Sequence, residues 1–245
     1  MNTEFEPLPW PDNFADWLRH RKEPESLKAI AYTAIDSFRA IVNGAISRDG
    51  SLDSLYLAAC HPRFVVWDVA LALLAKLGES DKHAREKIVA LSHESKAELR
   101  RRSILYLNDR YSRSYCVRIL SRLLTDRSPK VKDVVAGRIA CLNLKELLPA
   151  IEQALAQETD VNVQWCYSHV MSLMRDGYHY DNRGKAATLW LYYPELYPAS
   201  SPYIRDAQLR FENGDDIDQI KMDSLRQHSH ILLGGRDWEW GDEIG

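Results

Sequence analysis

Helix openings recur along this chain at a nearly constant interval. His61-Pro62, Ser95, Ser128-Pro129 and Asp160 each stand where a helix would begin, at spacings of 34, 33 and 32 residues. Between successive openings there is room for one helix, a turn and a second helix running back. A unit of that size cannot bury its own apolar face, so neighbouring units must stack and share a core. The period predicts an α-solenoid, an all-α fold in a single elongated domain over residues 1–245.

Local chemistry sets the expected boundaries. The first pair spans 62–77 and 81–92, with Pro62 at the first helical position and Gly78 as its stop. The second spans 96–107 and 112–125, where Ser95-Lys96-Ala97-Glu98 has the spacing of a capping box. The third spans 129–142 and 146–157 behind Ser128 and Pro129. A fourth opening helix runs over 161–175, capped by Asp160 and stopped by Gly177.

The flanks read differently. Residues 1–11 contain three prolines and predict an extended arm. Phe14, Trp17 and Leu18 suggest a short helix, and Leu27 to Val42 carry a helical apolar stripe behind Pro24. Leu52, Leu55, Tyr56 and Ala59 predict one more short helix before the repeats begin at 61. Beyond Gly177 the period is lost. Leu189 to Tyr193 reads as a helix ending at Pro194, a second helix runs from Pro202 to Phe211, and a third follows Asp215-Asp216. Residues 178–245 would then cap the open end of the stack, and they finish in an acidic tail with Trp238 and Trp240.

The third repeat carries a family resemblance. Leu147-Leu148-Pro149-Ala150-Ile151, then Ala154-Leu155, Asp160 and Val163, resemble the junction between consecutive HEAT repeats. Val131, Val134, Ile139 and Leu142 match that family's spacing for the opening helix. The resemblance covers roughly residues 61–177, and Arg100-Arg101-Arg102 interrupts it in the second repeat. It implies a right-handed HEAT-like solenoid and a role in binding other macromolecules.

Charge is distributed unevenly. Eleven Lys and Arg against three acids between Ser95 and Lys132 make that segment +8 in a chain of net −3. A basic middle between acidic ends is a field that a partner could read. Tyr111, Tyr115, Arg118 and Arg122 fall on one helical stripe there, with Cys116, Ile119, Leu120, Leu123 and Leu124 on the opposite side. Tyrosine and arginine are enriched at interface hot spots and also suit contact with phosphates or bases. The alternative is a solvated face whose rings pack on the neighbouring repeat. With Arg101 and Arg102, and Arg100 beside them, these are the candidate partner-binding residues.

Other chemistries find little footing. The chain has no GxSxG, HExxH, Walker or GxGxxG pattern, and its 11 glycines mostly end helices. Adjacent Cys60 and His61 do not make a thiolate–imidazole pair. His228 and His230 point to different sides of a helix, and His179-Tyr180-Asp181 lacks a third ligand, so neither metal nor cofactor is expected. Four cysteines without a CxxC pair suggest buried thiols in a reducing compartment, and no apolar run reaches the roughly 18 residues of a membrane span. A cytoplasmic location follows as the expectation.

The function expected from these residues is non-catalytic protein binding, with an acidic patch on the partner. Size and the lack of catalytic motifs fit a bacterial toxin-immunity protein or an adaptor. The alternative is a nucleic-acid binder, since Trp67-Asp68, Trp165 and the central arginines resemble the groove of the HEAT-like DNA glycosylases. A third reading lets the acidic Trp238/Trp240 tail dock on the basic stripe of its own or a neighbouring chain.

Overall fold

The computed structural model describes residues 12–44, 48–181, 187–194 and 205–227. The N-terminal arm, the His228/His230 pair and the acidic tail therefore lie outside the described residues. The chain divides into two compact units, Met1–Ile119 and Leu120–Gly245. Within the described residues it is mostly helical, with one two-stranded sheet.

The first unit opens with α1 (Asp12–His20), α2 (Glu25–Val42) and α3 (Arg48–Ala59). It continues with α4 (Phe64–Gly78), α5 (Lys82–Ser92), α6 (Ala97–Leu105) and the start of α7 (Arg113–Leu123). Helix α4 is apolar nearly all round and sits against α2, α3 and α5, so it is the centre of this core. Asp81 caps α5 by accepting from the His83 and Ala84 amides at 2.7 and 3.2 Å.

Two expected helix starts differ. Pro62 lies outside α4, whose N-cap is Arg63 in an extended conformation. The Ser95–Glu98 capping box does not form, because the N-cap of α6 is Lys96. Glu98 is instead drawn along the helix to Arg101 and Arg102, and the carbonyl of Ser95 accepts from Arg100. A guanidinium on the same face competes better for a carboxylate than one neutral amide does.

The second unit contains α8 (Pro129–Cys141), a 3-10 turn (Lys145–Leu147), α9 (Leu148–Gln157) and α10 (Val161–Asp176). Ser128 and Pro129 stand at the start of α8 as expected, although the serine hydroxyl makes no cap bond. Asp160 does cap α10, bonding the Asn162 and Val163 amides, and Gly177 ends that helix in the left-handed region at φ 78°.

After Gly177 the expected helix over Leu189–Tyr193 is a strand. β1 (Tyr178–Asp181) pairs antiparallel with β2 (Thr188–Leu191), placing His179 opposite Trp190 and Tyr180 opposite Leu189. Threonine and aromatic residues fit a pleated surface, and a short apolar run does not separate helix from strand by period alone. Tyr178, Tyr180, Leu189 and Leu191 join one small core with Ala207 and Phe211 of α11 (Arg205–Glu212) and Ile220 of α12 (Ile217–Gln227). His179 and Trp190 lie on the other face, against Trp165 and His169 of α10.

Candidate functional site

The central Tyr/Arg stripe is not an open surface. Tyr111 and Tyr115 are 5% and 6% exposed, with rings stacked 5.3 Å apart. The Tyr111 hydroxyl donates to the Ala75 carbonyl at 2.5 Å, and Tyr115 donates to Arg85 O at 3.1 Å. Gly78 makes room for this: a Cβ there would come within 2.6 Å of the Tyr111 hydroxyl oxygen. Burial pushes both phenols far above the ordinary tyrosine pKa, so both stay protonated donors. Their amphipathic rings are core with a polar tip, and the tip is satisfied by backbone.

Arg100 and Arg102 of the arginine triplet are likewise inward, and Arg101 is half-exposed. Arg100 Nη1 donates to the carbonyls of Glu94 and Ser95 at 2.9 and 2.7 Å, just past the end of α5. Arg102 is 4% exposed, and its Nη1 donates to Ala59 O and His61 O at 2.8 Å each. Its guanidinium lies 4.4 Å from the centre of the Trp67 ring. Arg102 thus closes the carbonyl end of α3, where a positive charge is favourable, while Arg100 ties down the turn between α5 and α6. Arg101 is held by Glu98 in a two-bond pair at 2.9 and 3.1 Å. That pairing holds the Glu98 carboxyl below its ordinary pKa, and Arg102 adds to the effect. Arg118 and Arg122 are the two members of the predicted set that reach solvent.

Solvent-facing relief lies beside them. Lys82, Arg85, Glu86, Val89 and Ala90 of α5 face Tyr115 and Arg118 across a groove of about 580 Å³. Three cations stand around one carboxylate, over an apolar floor. A second groove of about 380 Å³ shares Glu86 and Ala90 and reaches Asp49, Leu52 and Asp53 of α3. A third, of about 440 Å³, shares Asp53 and carries Ile30, Leu57 and Ala58. Leu57 is 69% exposed there, an unusual position for a large apolar side chain unless something covers it. Lys87 pairs with Asp53 across the middle groove, so net positive charge concentrates at the α5–α7 end.

Lys82, Arg85 and Val89 were absent from the expected set. Their i, i+3, i+7 spacing puts them on one face of α5, a signal the sequence carries. These residues lie outside the basic Ser95–Lys132 segment, so the charge asymmetry does not mark them.

The Trp67–Asp68 pair does not line a groove with exposed arginine. Trp67 is buried beneath Arg102, and Asp68 accepts from the Tyr106 hydroxyl at 2.8 Å. Trp165 donates its indole N–H to Asp181 at 3.0 Å. No group of three or more potential metal ligands occurs among the described residues. None of the four cysteines forms a disulfide; Cys116 is buried and the other three are half-buried rather than enclosed. No described helix is long and apolar enough to cross a membrane. Neither a protein-family model nor a curated protein matches this chain.

Proposed function

We propose that the protein is a non-catalytic binding module whose α5–α7 groove takes an acidic segment of a protein partner. The observation that carries this is the grouping of Lys82, Arg85 and Arg118 around Glu86 over Val89, Ala90 and Tyr115. Complementary charge steers encounter, and the apolar floor supplies the contact area that charge alone does not. The buried Tyr115 ring, stacked on Tyr111 behind it, gives the groove a rigid side. The tight single-partner binding of a toxin-immunity protein and the looser binding of an adaptor both fit this geometry. In the same reading the helix pairs form a right-handed HEAT-like solenoid, and a cytoplasmic location fits the free thiols.

The test uses two labelled probes, a Glu/Leu-rich amphipathic peptide and a 20-base-pair duplex, followed by fluorescence anisotropy at low and moderate salt. Wild type should bind the peptide, and the double variant Lys82→Glu/Arg118→Glu should lose at least tenfold in affinity. Equal binding by wild type and variant would overturn the groove. Duplex binding with a steep salt dependence would favour the nucleic-acid alternative instead.

A further inference from the structure

The hairpin of the second unit docks on α10 through an unusual set of groups. His169 stacks on Trp165 at 5.0 Å between ring centres and meets Trp190 edge-on at 5.0 Å. His179, on β1, approaches His169 edge-to-face at 4.5 Å. The His169 Nδ1 is buried and meets no hydrogen-bond partner among the described residues. Asp181 accepts the indole N–H of Trp165 at 3.0 Å. This packing is favourable while His169 is neutral. An imidazolium there would be held away from water, with its buried Nδ1 proton unmet.

We propose that the β1–β2 hairpin is an acid-released latch, held on α10 by neutral His169 and loosened when that ring takes up a proton. The charged and titratable groups around it are few. On β1 they are Tyr178, His179, Asp181 and Tyr180, whose hydroxyl donates to Glu212 of α11 at 3.0 Å; β2 has none, and Lys221 of α12 lies beside Gly177. On α10, Arg175 reaches Glu152 of α9 at 3.1 Å, and Asp176 accepts from Ser172. From α8, Asp133 accepts the Cys166 thiol. Burial, and then the neighbouring His179, hold the His169 pKa down at about 4 from an ordinary 6.5, against a smaller opposite pull from Asp181. A depressed folded-state pKa gives a contribution that is complete above pH 6.5 and is lost as pH falls toward 4.

Release would be local. Tyr192, next to β2, donates its hydroxyl to Ala140 O at 2.8 Å, and Asn143 Nδ2 bonds Pro194 O at 3.1 Å. These bonds contain no titrating group and keep the end of β2 attached to α8. Gly177, already in the left-handed region, supplies a pivot at the other strand.

Hydrogen–deuterium exchange on the full chain tests this, with each amide corrected for its intrinsic pH-dependent rate. Between pH 7.5 and pH 5 the opening constant of amides 178–181 and 188–191 should rise by about 10- to 30-fold, while α8 to α10 keep their protection. His169→Phe, which keeps the ring and cannot protonate, should remove most of that rise. If its circular dichroism at pH 7.5 shows misfolding, His169→Leu takes its place. Protection independent of pH, an unchanged rise in the His169 variant, or parallel opening of α8 to α10 would each overturn the latch.

Discussion

Arg102→Ala should destabilise the first unit by about 4 kcal/mol. The arginine is 4% exposed and spans three partners: the Ala59 and His61 carbonyls at 2.8 Å and the Trp67 ring at 4.4 Å. Its truncation strands two buried acceptors, for about 1–3 kcal/mol in total. Loss of the cation over the indole adds roughly 1 kcal/mol, and the void left by the stem contributes about as much again. Glu98, half-exposed, rehydrates at little cost. Urea denaturation followed by circular dichroism should show a midpoint lowered by roughly 1.5–2 M with an unchanged slope. Arg102→Met, which refills the volume but not the hydrogen bonds, should recover less than half. Arg102→Lys should also fall short, because an ammonium cannot both reach two carbonyls and lie flat on the indole. A loss under about 1 kcal/mol for Arg102→Ala, or a lysine variant as stable as wild type, would refute this account and return Arg102 to the pool of surface charges.

Tyr111→Phe should cost about 1–2 kcal/mol by leaving the Ala75 carbonyl unmet, and should not alter acidic-peptide binding in the anisotropy assay. Gly78→Ala should cost about 1–3 kcal/mol, read by the same urea titration, because its methyl group would meet the Tyr111 hydroxyl. Asp160→Ala should lower stability by about 1 kcal/mol through loss of the α10 cap, visible as a lower melting temperature. Cys166, its thiol pushed up to about 12 by burial and then by the bond to Asp133, should react with iodoacetamide at pH 8 at least tenfold more slowly than a small free thiol. Asp133→Asn should speed that labelling, measured by mass spectrometry of the intact chain.

The helix openings at Ser128-Pro129 and Asp160 and the stop at Gly177 were readable because caps are local: each depends on the two or three residues beside it. The fate of Tyr111, Tyr115, Arg100 and Arg102 was not readable for the opposite reason. A stripe at helical spacing shows which residues share a face but not what that face meets. Here the partners are carbonyls of residues 75, 85, 94, 95, 59 and 61, as many as 43 positions away. Leu189 to Tyr193 misled for a third reason, since five apolar and aromatic residues before a proline satisfy both a helix end and a strand. Only the pairing of His179 with Trp190 decides it. The α5–α7 groove sits between these cases: Lys82, Arg85 and Val89 were aligned in sequence, while their opposition to Arg118 is a product of packing.

The arginines of α6 bear on how this chain could be shortened or recombined. In arrays of helix pairs, each pair depends on its immediate neighbours, so one can be removed and the rest rejoined. Here Arg102 completes the end of α3, past two intervening helices, and Arg100 pins the turn that leads into α6. Excising α6 would therefore uncap a helix that is not its neighbour in sequence. The first unit is stitched as well as packed, and α6 is not an interchangeable module.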